Sequence, residues 1–213
     1  MCSDLMSLGT DIDLLRELGV DWLHVDVMDA HFVPNLTFGP DFIKAMHART
    51  PLPLDIHLMV TDPELALSHF ELREGDCLTA HVELGRSFAE LSARVRSRGC
   101  RFGLAVNPET PVEALEPHIG LLDTVTLMLV HPGYAGAKMV DGIMDKVAVT
   151  RKWLDATGMH DVMISVDGSV SAERAALMAG MGAQIFVGGT AGIYRKGMQL
   201  TETIPDFRKA ISV

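Results

Sequence analysis

Seven short runs rich in β-branched and apolar residues, at 22–27, 54–59, 78–82, 102–106, 125–130, 162–166 and 185–187, punctuate this chain, with helix-period segments between them. Runs this short and nearly continuously apolar are strands covered on both faces. Strand–helix alternation then points to a parallel sheet wrapped in helices. The helical segments fall at 11–18, 41–48, 63–70, 88–98, 111–117, 142–156, 172–179 and 203–211. Asp62 before Pro63, Thr110 before Pro111 and Ser171 before Ala172 stand where a side-chain cap belongs. No linker, low-complexity tract or composition break interrupts residues 1–213, which read as a single domain.

Two parallel architectures compete. An open doubly wound sheet that binds a dinucleotide carries GxGxxG after its first strand, and no such motif occurs. Seven strands and eight helices instead predict an α/β chain of the (β/α)8 TIM-barrel type, lacking most of strand one at the N-terminus. The chain opens almost directly into the 11–18 helix where a barrel supplies its first strand, so we expect an N-terminally shortened barrel.

A formal net charge of −10 argues against a nucleic-acid surface. It leaves a phosphorylated small molecule open, because backbone N–H groups at helix N-termini bind anions without lysine. No apolar run reaches membrane-spanning length, and the N-terminus MCSDLMSLGTD lacks the basic and apolar regions of a signal peptide. Cys2, Cys77 and Cys100 are widely spaced and form no CxxC, as expected of reduced thiols in a cytoplasmic protein.

Catalytic groups of such barrels gather at the C-terminal strand ends. His24 and Asp26 lie two apart near the end of their strand and so share its inward face. His57 lies late in LDIHLM, and Asp167 ends MISVDG. Two histidines and two carboxylates on one rim are a donor set for a divalent metal. Taken singly, an interior histidine is commonly a hydrogen-bonded core residue and a strand-end aspartate a helix cap, so spacing leaves both readings open. His81 and Glu83 form a further, weaker candidate pair. Asp29 and His31 fall in the following loop as solvated or turn-forming residues, and Asp21 and Asp55 start strands at the opposite face, where no function is assigned. Met28 and Met59 keep the parity of the inward residues, and Met128 falls near another strand end; by default all three are core filler. HPGYAG at 131–136, DGS at 167–169 and GGT at 188–190 follow later strands, and the last two occupy the loops where barrels commonly bind phosphate.

Together HVDVMDAHFVPNLTFGP, LDIHLM, VNPETP, HPGYAG, VDGS and FVGGT, in this order and over essentially the whole chain, resemble the ribulose-phosphate 3-epimerase family, including its allulose-6-phosphate 3-epimerase relatives. The resemblance implies an isomerase of a ketose phosphate (ribulose 5-phosphate to xylulose 5-phosphate, or the allulose 6-phosphate and fructose 6-phosphate pair). It further implies one divalent ion, zinc, iron, manganese or cobalt, on His24, Asp26, His57 and Asp167, with Asp26 and Asp167 as acid and base through a metal-stabilised cis-enediolate. Met28, Met59 and Met128 match the family's methionine cap. Gly133, Tyr134, Ala135 and Gly136, with Gly168, Ser169, Gly189 and Thr190, match its phosphate and substrate contacts. A homo-oligomer is implied as well. Ala135, Ser169 and Thr190 are closer to the allulose branch, whereas His131 and Val82 match neither. The family's first strand and its Pro-Ser segment have no counterpart, so the alternative is a shortened or degenerate barrel that binds sugar phosphate without turnover. The DxKxxD strand motif of orotidine-phosphate-type decarboxylases is absent.

Overall fold

Alternate strand positions divide into two chemically different sets. Val25 and Val27, Leu54, Ile56 and Leu58, Leu78 and Ala80, Phe102, Leu104 and Val106, Val125 and Leu127, and Ile164 and Val166 all belong to one buried apolar core with the helices. The intervening positions carry His24, Asp26 and Met28, then Asp55, His57 and Met59, then Cys77, Thr79 and His81, and face the barrel interior. The first set drives packing by removing hydrocarbon from water. The second leaves a polar interior whose upper layers can do chemistry.

The structure, a computed structural model, describes residues 1–212. Its strands are β1 (Leu23–Met28), β2 (Leu54–Met59), β3 (Cys77–His81), β4 (Arg101–Val106), β5 (Thr124–Met128), β6 (Met163–Asp167) and β7 (Ile185–Phe186). They form one parallel sheet in sequence order, β1 and β7 being its edges. Helices α1 (Leu8–Glu17), α2 (Pro40–Arg49), α3 (Pro63–His69), α4 (Ala89–Arg96), α5 (Asp145–Ala156), α6 (Ala172–Gly180) and α7 (Leu200–Ile211) alternate with the strands. This is the predicted curled barrel of seven strands, with an apolar cleft of about 430 Å³ between β7 and β1.

Asp62 and Ser171 cap α3 and α6 as expected, accepting the Leu65 and Arg174 N–H groups at 3.0 and 3.3 Å. The 111–117 helix is instead a 3-10 segment, Val112–Leu121, with Pro117 inside it. Proline lacks the N–H that an α-helix needs there. Thr110 caps nothing; its carbonyl accepts Lys146 Nζ at 2.6 Å. Among the described residues no helix is long and apolar enough to cross a membrane.

Strand register sets the height of each interior side chain. Asp26 stands beside His57 and Met28 beside Met59 across β1 and β2, and Met128 beside Asp167 across β5 and β6. Gly103 is required in the lower layer, because a Cβ there would come within 2.1 Å of Thr124 Oγ1.

Candidate active site

His24, Asp26, His57 and Asp167 converge from β1, β2 and β6, and each offers one donor atom within 4.8 Å of the other three. His24 Nε2 stands 3.2 Å from Asp26 Oδ1 and 3.7 Å from Asp167 Oδ2. His57 Nδ1 stands 3.5 and 3.6 Å from the same two oxygens. Metal–ligand bonds run about 2.0–2.2 Å, so the four donors span little more than the width of one ion's coordination shell.

The electrostatics favour a cation at this point. Burial alone would push the His24 imidazolium down, but the carboxylates of Asp55 and Asp26 outweigh it and hold its pKa well above the usual value. Burial likewise opposes a charge on His57, and Asp167 and Asp26 overcome it. Asp26 remains ionised despite burial because His24 and His57 hold its carboxyl far below the usual range. His57 Nδ1 is fully buried and without a hydrogen-bond partner although it faces two acidic oxygens. A buried orphan of this kind is costly unless something fills the space before it. Imidazole nitrogens and carboxylates suit a divalent transition ion, and the four residues fit one.

Above the cluster lies a cavity of about 80 Å³, into which the structure brings the remaining candidates. Met28, Met59 and Met128, each at most 3% exposed, form its apolar wall. Gly133, Tyr134, Ala135 and Gly136 form its outer side, and Gly168, Ser169, Gly189 and Thr190 the side facing β6 and β7. Gly168 has φ +106°, and a Cβ there would meet Val130 at 2.5 Å. Ser169 is left-handed at φ +55° and is held by Arg174, whose Nη1 donates to its carbonyl and hydroxyl oxygens at 2.8 and 2.9 Å. After β7 the chain turns tightly, the N–H groups of Gly192, Ile193 and Tyr194 all aimed at the Gly189 carbonyl.

The loop after β1 supports the rim. Asp29 accepts from His31 N, Phe32 N, Thr61 N and Thr61 Oγ1, so it is the turn-forming residue expected, and it also ties β1 to the end of β2. His31 is exposed. Asn35 Nδ2 donates to the Gly133 carbonyl and Tyr134 Oη to the Pro34 carbonyl, both at 2.7 Å, which closes the mouth. His131 pairs with Glu109 on the surface.

Asp55, expected at a strand start without a function, is the second residue of β2 but takes part in the site. It faces inward and accepts from His24 Nδ1 at 2.7 Å. Its parity with His57 was the signal available in the sequence. Cys2 and Met1 also line the cavity, and nothing in the sequence pointed to them.

Residues 1–193 match the profile of the ribulose-phosphate 3 epimerase family. A ribulose-phosphate 3-epimerase of Bacillus subtilis is 36% identical over 191 residues, covering 90% of this chain and 88% of that protein. One of Rhodobacter capsulatus is 37% identical over 204 residues, covering 96% and 87%. Among solved structures, a 3-hexulose-6-phosphate synthase superposes with a TM-score of 0.64 at 15% identity, covering 96% of this chain and 93% of its own, which bears on the fold alone.

Proposed function

The chain is an isomerase of the ribulose-phosphate 3-epimerase family, and from that premise we propose that it inverts C3 of a ketose phosphate, ribulose 5-phosphate or a homologue such as allulose 6-phosphate, with Asp26 and Asp167 as its proton-transfer pair. The observation that carries this reading is the convergence of both aspartates with two histidines beneath a pocket walled by methionines and glycine-rich loops.

Inversion at C3 removes a proton made acidic by the neighbouring C2 carbonyl and returns one to the opposite face. Two carboxyl groups on separate strands suit this chemistry, one accepting while the other donates, with the roles exchanged in the reverse direction. Asp26, held ionised, is ready to accept. A divalent ion on His24, Asp26, His57 and Asp167, of the zinc, iron, manganese or cobalt type, would supply positive charge beside the developing negative charge, worth several kcal/mol. The three methionines exclude water while offering a polarizable surface to a flat intermediate. Backbone N–H groups after β6 and β7, with Arg174 behind Ser169, suit a phosphate dianion despite the chain's negative charge.

The cavity of about 80 Å³ is smaller than the roughly 300–1,000 Å³ of small-molecule sites, so substrate access requires the Tyr134 loop to part from Pro34 and Asn35. A panel of ketose phosphates assayed on the purified protein tests the reading. Epimerisation of at least one, lost on dialysis against a chelator and restored by a single divalent ion, is expected. A metal-loaded protein that epimerises none of them would contradict it.

A further inference from the structure

On the side of His57 away from the four-residue cluster, a second polar chain runs through the interior. His57 Nε2 and His81 Nε2 stand 2.8 Å apart. The ring planes differ by 21° and the centroids are 4.9 Å apart, so the rings meet edge to edge. One N–H must therefore donate to the other ring's bare nitrogen. Both residues are fully buried. His81 Nδ1 lies 3.0 Å from Glu83 Oε2, and Glu83 Oε1 accepts the Asn107 N–H at 2.6 Å. The Asn107 loop is itself pinned by Lys146, whose ammonium donates to the carbonyls of Asn107, Pro108 and Thr110.

The direction of every bond follows from the one group that can only accept. Glu83, a carboxylate facing a backbone N–H, accepts the hydrogen bond donated by His81 Nδ1–H. A neutral His81 then has a bare Nε2, which obliges His57 to donate from its own Nε2. In a neutral His57 the remaining lone pair then sits on Nδ1, the atom facing Asp26 and Asp167.

We propose that Glu83, acting through His81, is a positioning residue that fixes His57 as its Nε2–H tautomer and presents Nδ1 to the metal cluster. The purpose of the relay rests on the metal reading above; its hydrogen-bond polarity does not. Outer partners of this kind commonly account for 10–100-fold in metal affinity.

Two variants separate this role from packing. Glu83→Gln keeps the volume; with its amide oxygen held by the Asn107 N–H, a donor that cannot reverse, its N–H₂ faces His81 Nδ1, which reverses His81 and sets its Nε2–H against His57. His81→Gln offers an amide oxygen to His57 Nε2–H and so preserves the tautomer without Glu83. Nitrogen-resolved NMR of the metal-free proteins, at a pH where both rings are neutral, reads the tautomers directly. Competition with a chelator for Zn²⁺ reads affinity. We expect Nε2–H on His57 and Nδ1–H on His81 in the unaltered protein. Loss of the His57 tautomer with a roughly 10–100-fold weaker Zn²⁺ affinity is expected in Glu83→Gln, and near-native values of both in His81→Gln. An Nδ1–H His57 in the unaltered protein, or unchanged tautomer and affinity in Glu83→Gln, would overturn the proposal. An unaltered protein that takes up no Zn²⁺ would overturn the metal reading instead, and the tautomers would still decide the role of Glu83.

Discussion

His24 donates its Nδ1–H to Asp55 Oδ2 at 2.7 Å across β1 and β2, so its Nε2 is the nitrogen turned toward Asp26 and Asp167. Asp55 is 6% exposed and orients the ring from below. Asp55→Asn can still accept the bond but loses the charge that makes the imidazole a strong donor. We expect a folded protein whose Zn²⁺ affinity falls roughly 10–100-fold in chelator competition. Unchanged affinity would show that Asp55 contributes only to packing.

The two aspartates of the cluster are separable from the fold. Each of Asp26→Asn and Asp167→Asn is expected to lower turnover by at least about 10²-fold, the lower bound for a positioned acid or base. Circular dichroism should show both variants folded. Turnover within a few-fold of the unaltered enzyme in either variant would remove that residue from the proton-transfer pair.

Asp29 links rim stability to pH. Burial disfavours its charge, but hydrogen bonds from Thr61, Phe32 and His31 outweigh it and hold its pKa well below the usual carboxylate range. A depressed folded-state pKa stabilises above the unfolded value, near 4, and that stabilisation disappears as pH falls through the folded value. Asp29→Asn is therefore expected to lower the Tm at neutral pH, with the gap narrowing below about pH 4. A gap that is constant with pH would contradict the charged role.

The lower interior tests the packing side. Gly103→Ala sets a methyl 2.1 Å from Thr124 Oγ1 and 2.9 Å from Thr79 Oγ1. Overpacking of this kind costs about 1–3 kcal/mol. Because Thr124→Ala removes the nearer oxygen, the double variant should lose less stability in denaturant unfolding than the sum of the singles. Strict additivity would mean that the strand shifts to accommodate the methyl group instead.

Much of this architecture is legible in the residues because one period governs it. The period of two that buries Val25 and Val27 against helices turns His24, Asp26 and Met28 inward, and the same rule handles Leu54–Met59. The same parity turns Asp55 inward toward His24, although its place at the start of β2 suggests no role. The helix expected at 111–117 gave way to a 3-10 segment because Pro117 withholds a backbone donor. The closure of the mouth by Asn35 and Tyr134 was out of reach, since it joins backbone positions 98 and 100 residues away through single side chains. His81 and Glu83 were visible as a pair, but their relation to His57 depends on side-chain direction across two strands.

The central claim is proton exchange at C3 between two carboxyl groups, and solvent deuterium tests it most directly. Epimerisation of the accepted ketose phosphate in D₂O, followed by NMR of the isolated product, should show deuterium at C3. Product whose C3 retains all of its substrate-derived hydrogen would contradict the two-aspartate account.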